Sequence, residues 1–294
     1  TVFDDTDRAT VENVKPVYDF LFDNGMKTTK SVWPLKGHRD AYIDGDTCEN
    51  PAYLKWIYAL KERGFEIAFH NATYHSSFRK ESLDGLERFK ELFGAYPDTH
   101  ANHADCQDGI YWGESRLNSK INVFLYNLMT LNKNKGYFRG HIAGDPFFWG
   151  DACKKHIKYV RNFVYSDINT LKNCPMMPYY DPNKPYVNYW FSSSEGGDVN
   201  SFTRTISEEN QDRLEEEGGA CIMYTHFASG FYEQSLDFCF ERLINRLGKK
   251  NGWFVPVNEL LSFLMSQKKQ DASAKEIDKM ERRWLFHKVR VGTC

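Results

Sequence analysis

The stretch Thr1-Val2-Phe3-Asp4-Asp5-Thr6-Asp7 opens the chain and decides how the rest of it is interpreted. Its β-branched and aromatic residues predict a short strand that delivers two adjacent carboxylates, Asp4 and Asp5, at its carboxyl end. Neighbouring side chains on a strand point to opposite faces, so Asp4 and Asp5 can share a site only where the strand ends and turns. Two adjacent carboxylates repel, which favours an accompanying cation or a shared proton. For this dipeptide alone, an acidic turn is the simpler interpretation.

Two later predicted strands each end in a histidine. Residues 64–70 read Gly-Phe-Glu-Ile-Ala-Phe-His and are followed by His75, and residues 220–226 read Ala-Cys-Ile-Met-Tyr-Thr-His. Ligands bind at the carboxyl ends of the strands in parallel sheets and barrels. Three strands that each end in a titratable or metal-binding group therefore predict one shared site.

The order of the elements predicts an α/β fold with a parallel sheet or barrel, because strands and helices alternate from the start of the chain. Capping residues and apolar spacing predict the helix bounds, and Gly25, Gly64 and Gly94 each follow a predicted helix. The predicted helices are 10–24, 50–63, 80–93, 120–131, 207–217, 236–247 and 257–265. The predicted strands after the first are 27–33, 65–70, 99–103, 157–165, 186–191, 220–226 and 253–255.

Composition excludes several classes of protein. The 294 residues are 41% hydrophobic and 16% aromatic, enough for one large domain, and a net charge of −2 gives no reason to expect a nucleic-acid partner. No apolar run approaches the roughly 20 residues of a membrane span. The seven cysteines show no paired pattern, which is typical of reduced thiols and predicts a cytoplasmic protein. Because the chain begins without Met and inside its first strand, we expect upstream residues, and an export signal there is left open.

These motifs resemble the polysaccharide deacetylases, the NodB-type carbohydrate esterases, in the order Thr1 to Thr6, Gly64 to His75 and Ile222 to His226. The resemblance implies an irregular (β/α)7-type, TIM-like barrel over residues 1–268. The charged composition of residues 269–294 predicts a helical tail that lies outside the barrel. The resemblance also implies Asp4 as the general base, Asp5, His70 and His75 as metal ligands, and His226 as the general acid.

The chain departs from the family pattern at several points. Thr6 replaces a glycine, and four residues rather than three separate His70 from His75, so His103 is the alternative third ligand. The family's Arg-Pro-Pro motif, whose arginine steadies the base, has no clean match near Asn102, and the Asp-and-Trp motif is echoed at best by residues 145–149. By analogy with the fold, Asn102, His103, Trp112 and Trp149 are candidate substrate-binding residues.

One carboxylate and two imidazoles suit a divalent metal, zinc first, with iron, cobalt or nickel as alternatives. The hypothesis is therefore a hydrolase that removes an acyl group, taken as acetyl, from an N-acylated carbohydrate, small or oligomeric, with metal-bound water as the nucleophile. A non-catalytic carbohydrate-binding barrel that has lost its metal is one alternative, and a hydrolase of a non-sugar amide or ester is another. The sequence predicts neither the acyl group nor the oligomeric state.

Overall fold

A computed structural model of the chain describes residues 1–292, in which seven short parallel strands close into a barrel. The strands follow one another around the barrel in sequence order, and the first pairs directly with the last. The predicted (β/α)7-type barrel is therefore confirmed. The strands are β1 (Val2–Asp4), β2 (Thr29–Val32), β3 (Glu66–Phe69), β4 (Thr99–His100), β5 (Tyr159–Tyr165), β6 (Tyr189–Ser194) and β7 (Met223–Thr225).

Eleven α-helices and one short 3₁₀ helix (Gly113–Arg116) lie within the described residues, and several of the α-helices begin at side chains that cap free backbone amides. Thr10 and Asn50 both accept hydrogen bonds from the first turn of the helix that follows them, as the sequence predicts. The helices are α1 (Val11–Asp23), α2 (Pro51–Glu62), α3 (Arg79–Phe93), α4 (Lys120–Met129), α5 (Gly150–His156), α6 (Thr170–Asn173), α7 (Val199–Thr205), α8 (Glu208–Glu216), α9 (Phe238–Leu247), α10 (Val257–Gln267) and α11 (Ala274–Val291).

The strand predicted at residues 253–255 is not formed. The barrel closes through the pairing of β1 with β7, so no strand edge is left for a later segment to join. Strand β4 is also shorter than predicted, because the chain turns away after His100 and begins the long connection to β5.

The charged tail is helical and packs against the barrel. Trp284 of α11 is fully buried, and the Tyr165 hydroxyl donates to the Met280 carbonyl oxygen at 3.2 Å. The division of the chain into residues 1–268 and 269–294 stays a prediction. All six cysteines within residues 1–292 are free, whereas Cys294 lies outside the described residues.

Side-chain alternation along β1 determines which groups reach the barrel interior. Phe3 lies 6.0 Å from the ring of Phe191 and 5.1 Å from the guanidinium of Arg161, which belong to strands across the barrel. Asp5 is two residues further on and shares this inward face, whereas Asp4 points outward to α1. None of the described helices combines the length and apolar character that crossing a bilayer requires.

Candidate active site

The carboxylate of Asp7 lies among three imidazoles at the carboxyl end of the barrel. Its Oδ1 is 3.1 Å from His70 Nε2 and 3.1 Å from His103 Nδ1, and its Oδ2 is 3.4 Å from His226 Nε2. Burial opposes ionisation of Asp7, but the three imidazoles outweigh it and hold the pKa of this carboxyl well below its ordinary value. Four groups that are distant in the sequence therefore meet at one mouth.

Hydrogen bonds outside this cluster orient its histidines. His70 Nδ1 donates to the Ala101 carbonyl oxygen at 2.9 Å, and this hydrogen bond turns Nε2 toward Asp7. The His103 amide donates to the side-chain oxygen of Asn71, whose own amide donates to Asp108. Asn71 has a φ of +63°, a left-handed conformation that asparagine tolerates better than most residues.

Asp5 faces the cavity and forms a bidentate ion pair with Arg161. The two guanidinium nitrogens of Arg161 donate to the two carboxylate oxygens at 2.9 and 2.5 Å, and both residues are buried. Burial raises the pKa of a carboxyl group, but Arg161, followed by His70, outweighs that effect and lowers the pKa of Asp5. His70 Nδ1 lies 4.0 Å from Asp5, which places the pair beside the Asp7 cluster.

Asp4, the predicted base, lies on the other face of β1. Its Oδ2 accepts hydrogen bonds from Lys30 Nζ and the Tyr18 hydroxyl, each at 2.8 Å, and its Oδ1 accepts one from the Phe227 amide at 2.8 Å. Asp4 and Lys30 are both fully buried. The strand alternation continues through Asp5, so the two adjacent carboxylates do not share a site, and Asp5 is the one that reaches the cavity.

His226 directly follows the last strand, at the carboxyl end where the sequence predicts it, and faces the cluster. Its Nδ1 donates to the Gly197 carbonyl oxygen at 2.8 Å, which directs Nε2 toward Asp7. Burial lowers the pKa of an imidazole, but Asp7 and then Asp5 stabilise the imidazolium form and raise the pKa of His226 to about 9.

A cavity of about 290 Å³ opens beside the Asp7 cluster at the mouth of the barrel. Asp5, Asp7 and His226 line it, as do the predicted substrate-binding residues Asn102 and Trp112.

The other predicted substrate-binding aromatic, Trp149, is fully buried. Its ring Nε1 donates to the Asp108 carbonyl oxygen at 2.7 Å, and it packs against Phe69 and His100. Trp149 is thus part of the core below the mouth in this structure.

His75, the predicted third ligand, belongs to a separate cluster with His38 and Glu81. The His38 amide donates to His75 Nε2 at 3.2 Å, and His38 Nε2 lies 3.3 Å from Glu81. The Arg39 guanidinium also contacts both carboxylate oxygens of Glu81, at 3.1 and 3.3 Å, so this cluster already contains a cation. His75 therefore joins two loops beside the mouth, while His103, the alternative ligand, lies within the Asp7 cluster.

Sequence reasoning missed two residues of this site, and each left a signal. Asp7 lies two residues beyond Asp5, the spacing that keeps side chains on one face of an extended segment. Arg161 is the one charged residue of β5, and a charge at such a position has to be paired once the strand is buried.

The donor set of the cluster fits a divalent metal ion. Asp7, His70 and His103 each offer one ligand atom, and these atoms lie within 4.8 Å of one another. A carboxylate oxygen and two imidazole nitrogens are a usual set for zinc and related ions in sites that leave a position open for substrate.

Comparison of the sequence with protein-family models finds no match, and comparison with curated proteins finds none. Several solved structures are similar in chain path. A protein assigned as a polysaccharide deacetylase from Mycobacterium smegmatis is 12% identical, with a TM-score of 0.49 over 89% of this chain and 79% of the other. The allantoinase PuuE is 14% identical, with a TM-score of 0.48 over 86% and 72%.

A mutant of the peptidoglycan deacetylase PdaC from Bacillus subtilis is 12% identical, with a TM-score of 0.43 over 97% of this chain and 96% of the other. At such identities, the function of this chain has to be argued from the side chains of its own site.

Proposed function

We propose that the protein is a metal-dependent hydrolase that removes an acyl group, acetyl in the first instance, from an N-acylated carbohydrate. The observation that carries the proposal is the Asp7 carboxylate, which lies within 3.1 to 3.4 Å of imidazoles from three separate loops. The order of the sequence motifs, which resembles the polysaccharide deacetylases, supports the same reaction class.

Asp7, His70 and His103 would hold the metal. A divalent ion bound by them would supply Lewis acidity, lowering the pKa of a water molecule and polarising the acyl carbonyl. This ligand set replaces Asp5 with Asp7 and His75 with His103, because Arg161 holds Asp5 and His75 lies in another cluster. Zinc is the first choice of metal for one carboxylate and two imidazoles.

Asp5, in place of Asp4, is the proposed general base. Each of its oxygens accepts one hydrogen bond from Arg161, and a carboxylate oxygen has a second lone-pair direction, so Asp5 can still accept a proton. Arg161 keeps the carboxylate ionised and fixes its orientation toward the cavity. As water attacks the acyl carbon, a proton from that water passes to Asp5.

His226 is the proposed general acid on the other side of Asp7. Its Nε2 points toward the cavity, because Nδ1 donates to the Gly197 carbonyl oxygen and holds the ring in place. When the bond between the acyl carbon and nitrogen breaks, the nitrogen takes the proton from Nε2 and leaves as an amine. The acyl group leaves as a carboxylic acid, in which one oxygen is that of the acyl carbonyl and the other comes from the water.

Two features of the cavity support a carbohydrate substrate. Its volume of about 290 Å³ is close to the lower limit, roughly 300 Å³, of small-molecule sites, which suits a single sugar unit. Trp112 on its wall offers an aromatic surface, held in place by the Arg116 guanidinium at 3.2 Å from the ring centroid.

The direct test is release of acetate or formate from N-acyl sugars, nucleotide sugars and small amides by the metal-loaded protein. We expect release from an N-acyl sugar, and at least a hundredfold slower release by Asp5→Asn at unchanged metal content. Undiminished release by Asp5→Asn would remove Asp5 as the base. Release from small amides alone would favour the non-sugar amidase, and folded protein that binds no metal would favour the non-catalytic barrel.

A further inference from the structure

Helix α4 has its polar side chains inside and its apolar side chains outside. Its inward face carries Asn122 and Asn127, whose side chains donate to Glu281 and Glu114, and Tyr126, which stacks on Trp284. This is the reverse of an ordinary surface helix, whose apolar stripe faces the core.

The outward face of α4 forms a continuous apolar surface, here called the α4 ridge: Ile121, Phe124, Leu125, Leu128 and, just beyond the helix, Leu131. The four helical members follow the i, i+3, i+4, i+7 spacing that places side chains on one face. They are 69%, 66%, 43% and 60% exposed, and Leu131 is 85% exposed. Contiguous apolar surface of this kind marks an interaction site rather than ordinary protein surface.

The exposed charges that flank the α4 ridge in the sequence are positive, whereas the acidic side chains near the helix, those of Glu114, Asp278 and Glu281, accept hydrogen bonds from its inward face. Between Glu114 and Asp145 the sequence contains no acidic residue, and Lys120, Lys133 and Lys135 are exposed around the ridge. Within residues 1–292, none of these three lysines forms a salt bridge, although many other exposed lysines of the chain do. The partner is therefore expected to be both apolar and anionic.

We propose that the α4 ridge docks onto an anionic lipid surface. A helix with Phe and Leu on one face and lysines beside them lies in the interface of a bilayer, where the apolar side chains enter the acyl boundary and the lysines meet the anionic headgroups. A second copy of this chain fits less well, because a symmetric contact through the ridge would bring like charges together.

The α4 ridge lies on the rim of the cavity described above. Tyr126, on the opposite side of the same helix, lines that cavity together with Asp5 and His226. Docking through the ridge therefore holds the rim of the mouth against the lipid surface. The inference rests on exposure and charge alone and does not depend on the proposed hydrolysis.

The test is sedimentation of the full chain with vesicles of phosphatidylcholine, either pure or with about a third of the lipid replaced by phosphatidylglycerol. We expect binding to the anionic vesicles only, weakening as salt is raised. The double variant F124S/L128S should bind at least about tenfold more weakly. The double variant K133Q/K135Q should also bind more weakly and show a smaller salt dependence.

A matched control is Phe238→Ser, which removes a phenylalanine that is 73% exposed on α9, and this variant should bind like the wild type. Circular dichroism melting of F124S/L128S should be unchanged, because both side chains are exposed. Absence of binding to anionic vesicles, or equal binding by F124S/L128S, would overturn the proposal. So would equal binding to both kinds of vesicle, or a wild-type dimer in sedimentation analysis that F124S/L128S converts to a monomer.

Discussion

Each end of the barrel buries a carboxylate among hydrogen-bond donors, but the pKa values of the two carboxyl groups shift in opposite directions. At the mouth, Asp7 lies among three imidazoles, and its pKa is held well below the ordinary value. At the opposite end of the barrel, where the strands begin and which is here called its base, Glu66 accepts hydrogen bonds from the hydroxyls of Thr29 and Thr99 and from the Asn258 amide. Burial raises the pKa of Glu66 to about 7. The pKa shifts differ because the partners of Asp7 are imidazoles, which can carry a positive charge, whereas the partners of Glu66 are neutral hydroxyl and amide groups.

The comparison assigns chemistry to one end and stability to the other. In barrels of this type, residues at the carboxyl ends of the strands act on ligands, whereas residues at the amino ends hold the fold together. Glu66 begins β3 and joins β2, β4 and the first turn of α10 through its three donors. Substitutions at the mouth should therefore change turnover, and substitutions at the base should change the free energy of unfolding.

The largest effect is expected at the mouth, for His226→Ala. Loss of a general acid lowers turnover by roughly 10²- to 10⁴-fold. Steady-state kinetics on an N-acyl sugar would measure the change. The control His156→Ala removes a histidine from the end of α5 and should keep wild-type turnover. Turnover by His226→Ala within threefold of the wild type would show that another group donates the proton.

Asp4→Asn tests whether the adjacent carboxylates have different roles. It leaves the Lys30 ammonium fully buried without its anion, which costs about 3–5 kcal/mol of unfolding free energy in urea titrations. The double variant Asp4→Asn/Lys30→Met should recover much of this loss, because no buried charge is left unpaired. A stable Asp4→Asn protein that has lost turnover would instead restore Asp4 as the base.

The pH dependence of stability in Glu66→Gln tests the raised pKa of the carboxyl group at the amino-terminal end of the barrel. The folded-state pKa of about 7 exceeds the ordinary value of 4.5, so the folded state binds this proton more tightly than the unfolded state does. Its contribution to stability is full below pH 4.5 and is lost as pH rises to 7, a change on the order of 3 kcal/mol. The stability of Glu66→Gln relative to the wild type should therefore rise over that range.

Urea titrations at several pH values would measure this difference. The exposed Glu62→Gln provides the control, and its stability relative to the wild type should not vary with pH. A stability difference for Glu66→Gln that is also independent of pH would contradict the raised pKa.

The smallest effects separate the two tryptophans. Trp112 lines the cavity, so Trp112→Leu should raise KM several-fold with little change in stability. Trp149→Phe removes one buried hydrogen bond and should cost about 1–2 kcal/mol of unfolding free energy while leaving KM unchanged. A raised KM for Trp149→Phe would return that residue to the substrate site.

The local features of the fold could be predicted from the sequence, because caps and alternating elements are written in neighbouring residues. Thr10 and Asn50 predicted the starts of α1 and α2, and His70 and His226 predicted the ends of strands. The composition of the site could not be read in the same way. Which of Asp4, Asp5 and Asp7 faces the cavity depends on where the alternation of β1 stops, and the pairing of Asp5 with Arg161 joins residues on opposite sides of the barrel.

Metal content of the purified protein tests the central claim most directly, measured for the wild type, His103→Ala and His75→Ala. We expect about one divalent ion per wild-type chain, wild-type content in His75→Ala, and loss of the ion in His103→Ala, because His103 lies 3.1 Å from Asp7 whereas His75 belongs to the cluster with His38 and Glu81. Retention of the ion by His103→Ala together with its loss from His75→Ala would contradict the proposed metal centre.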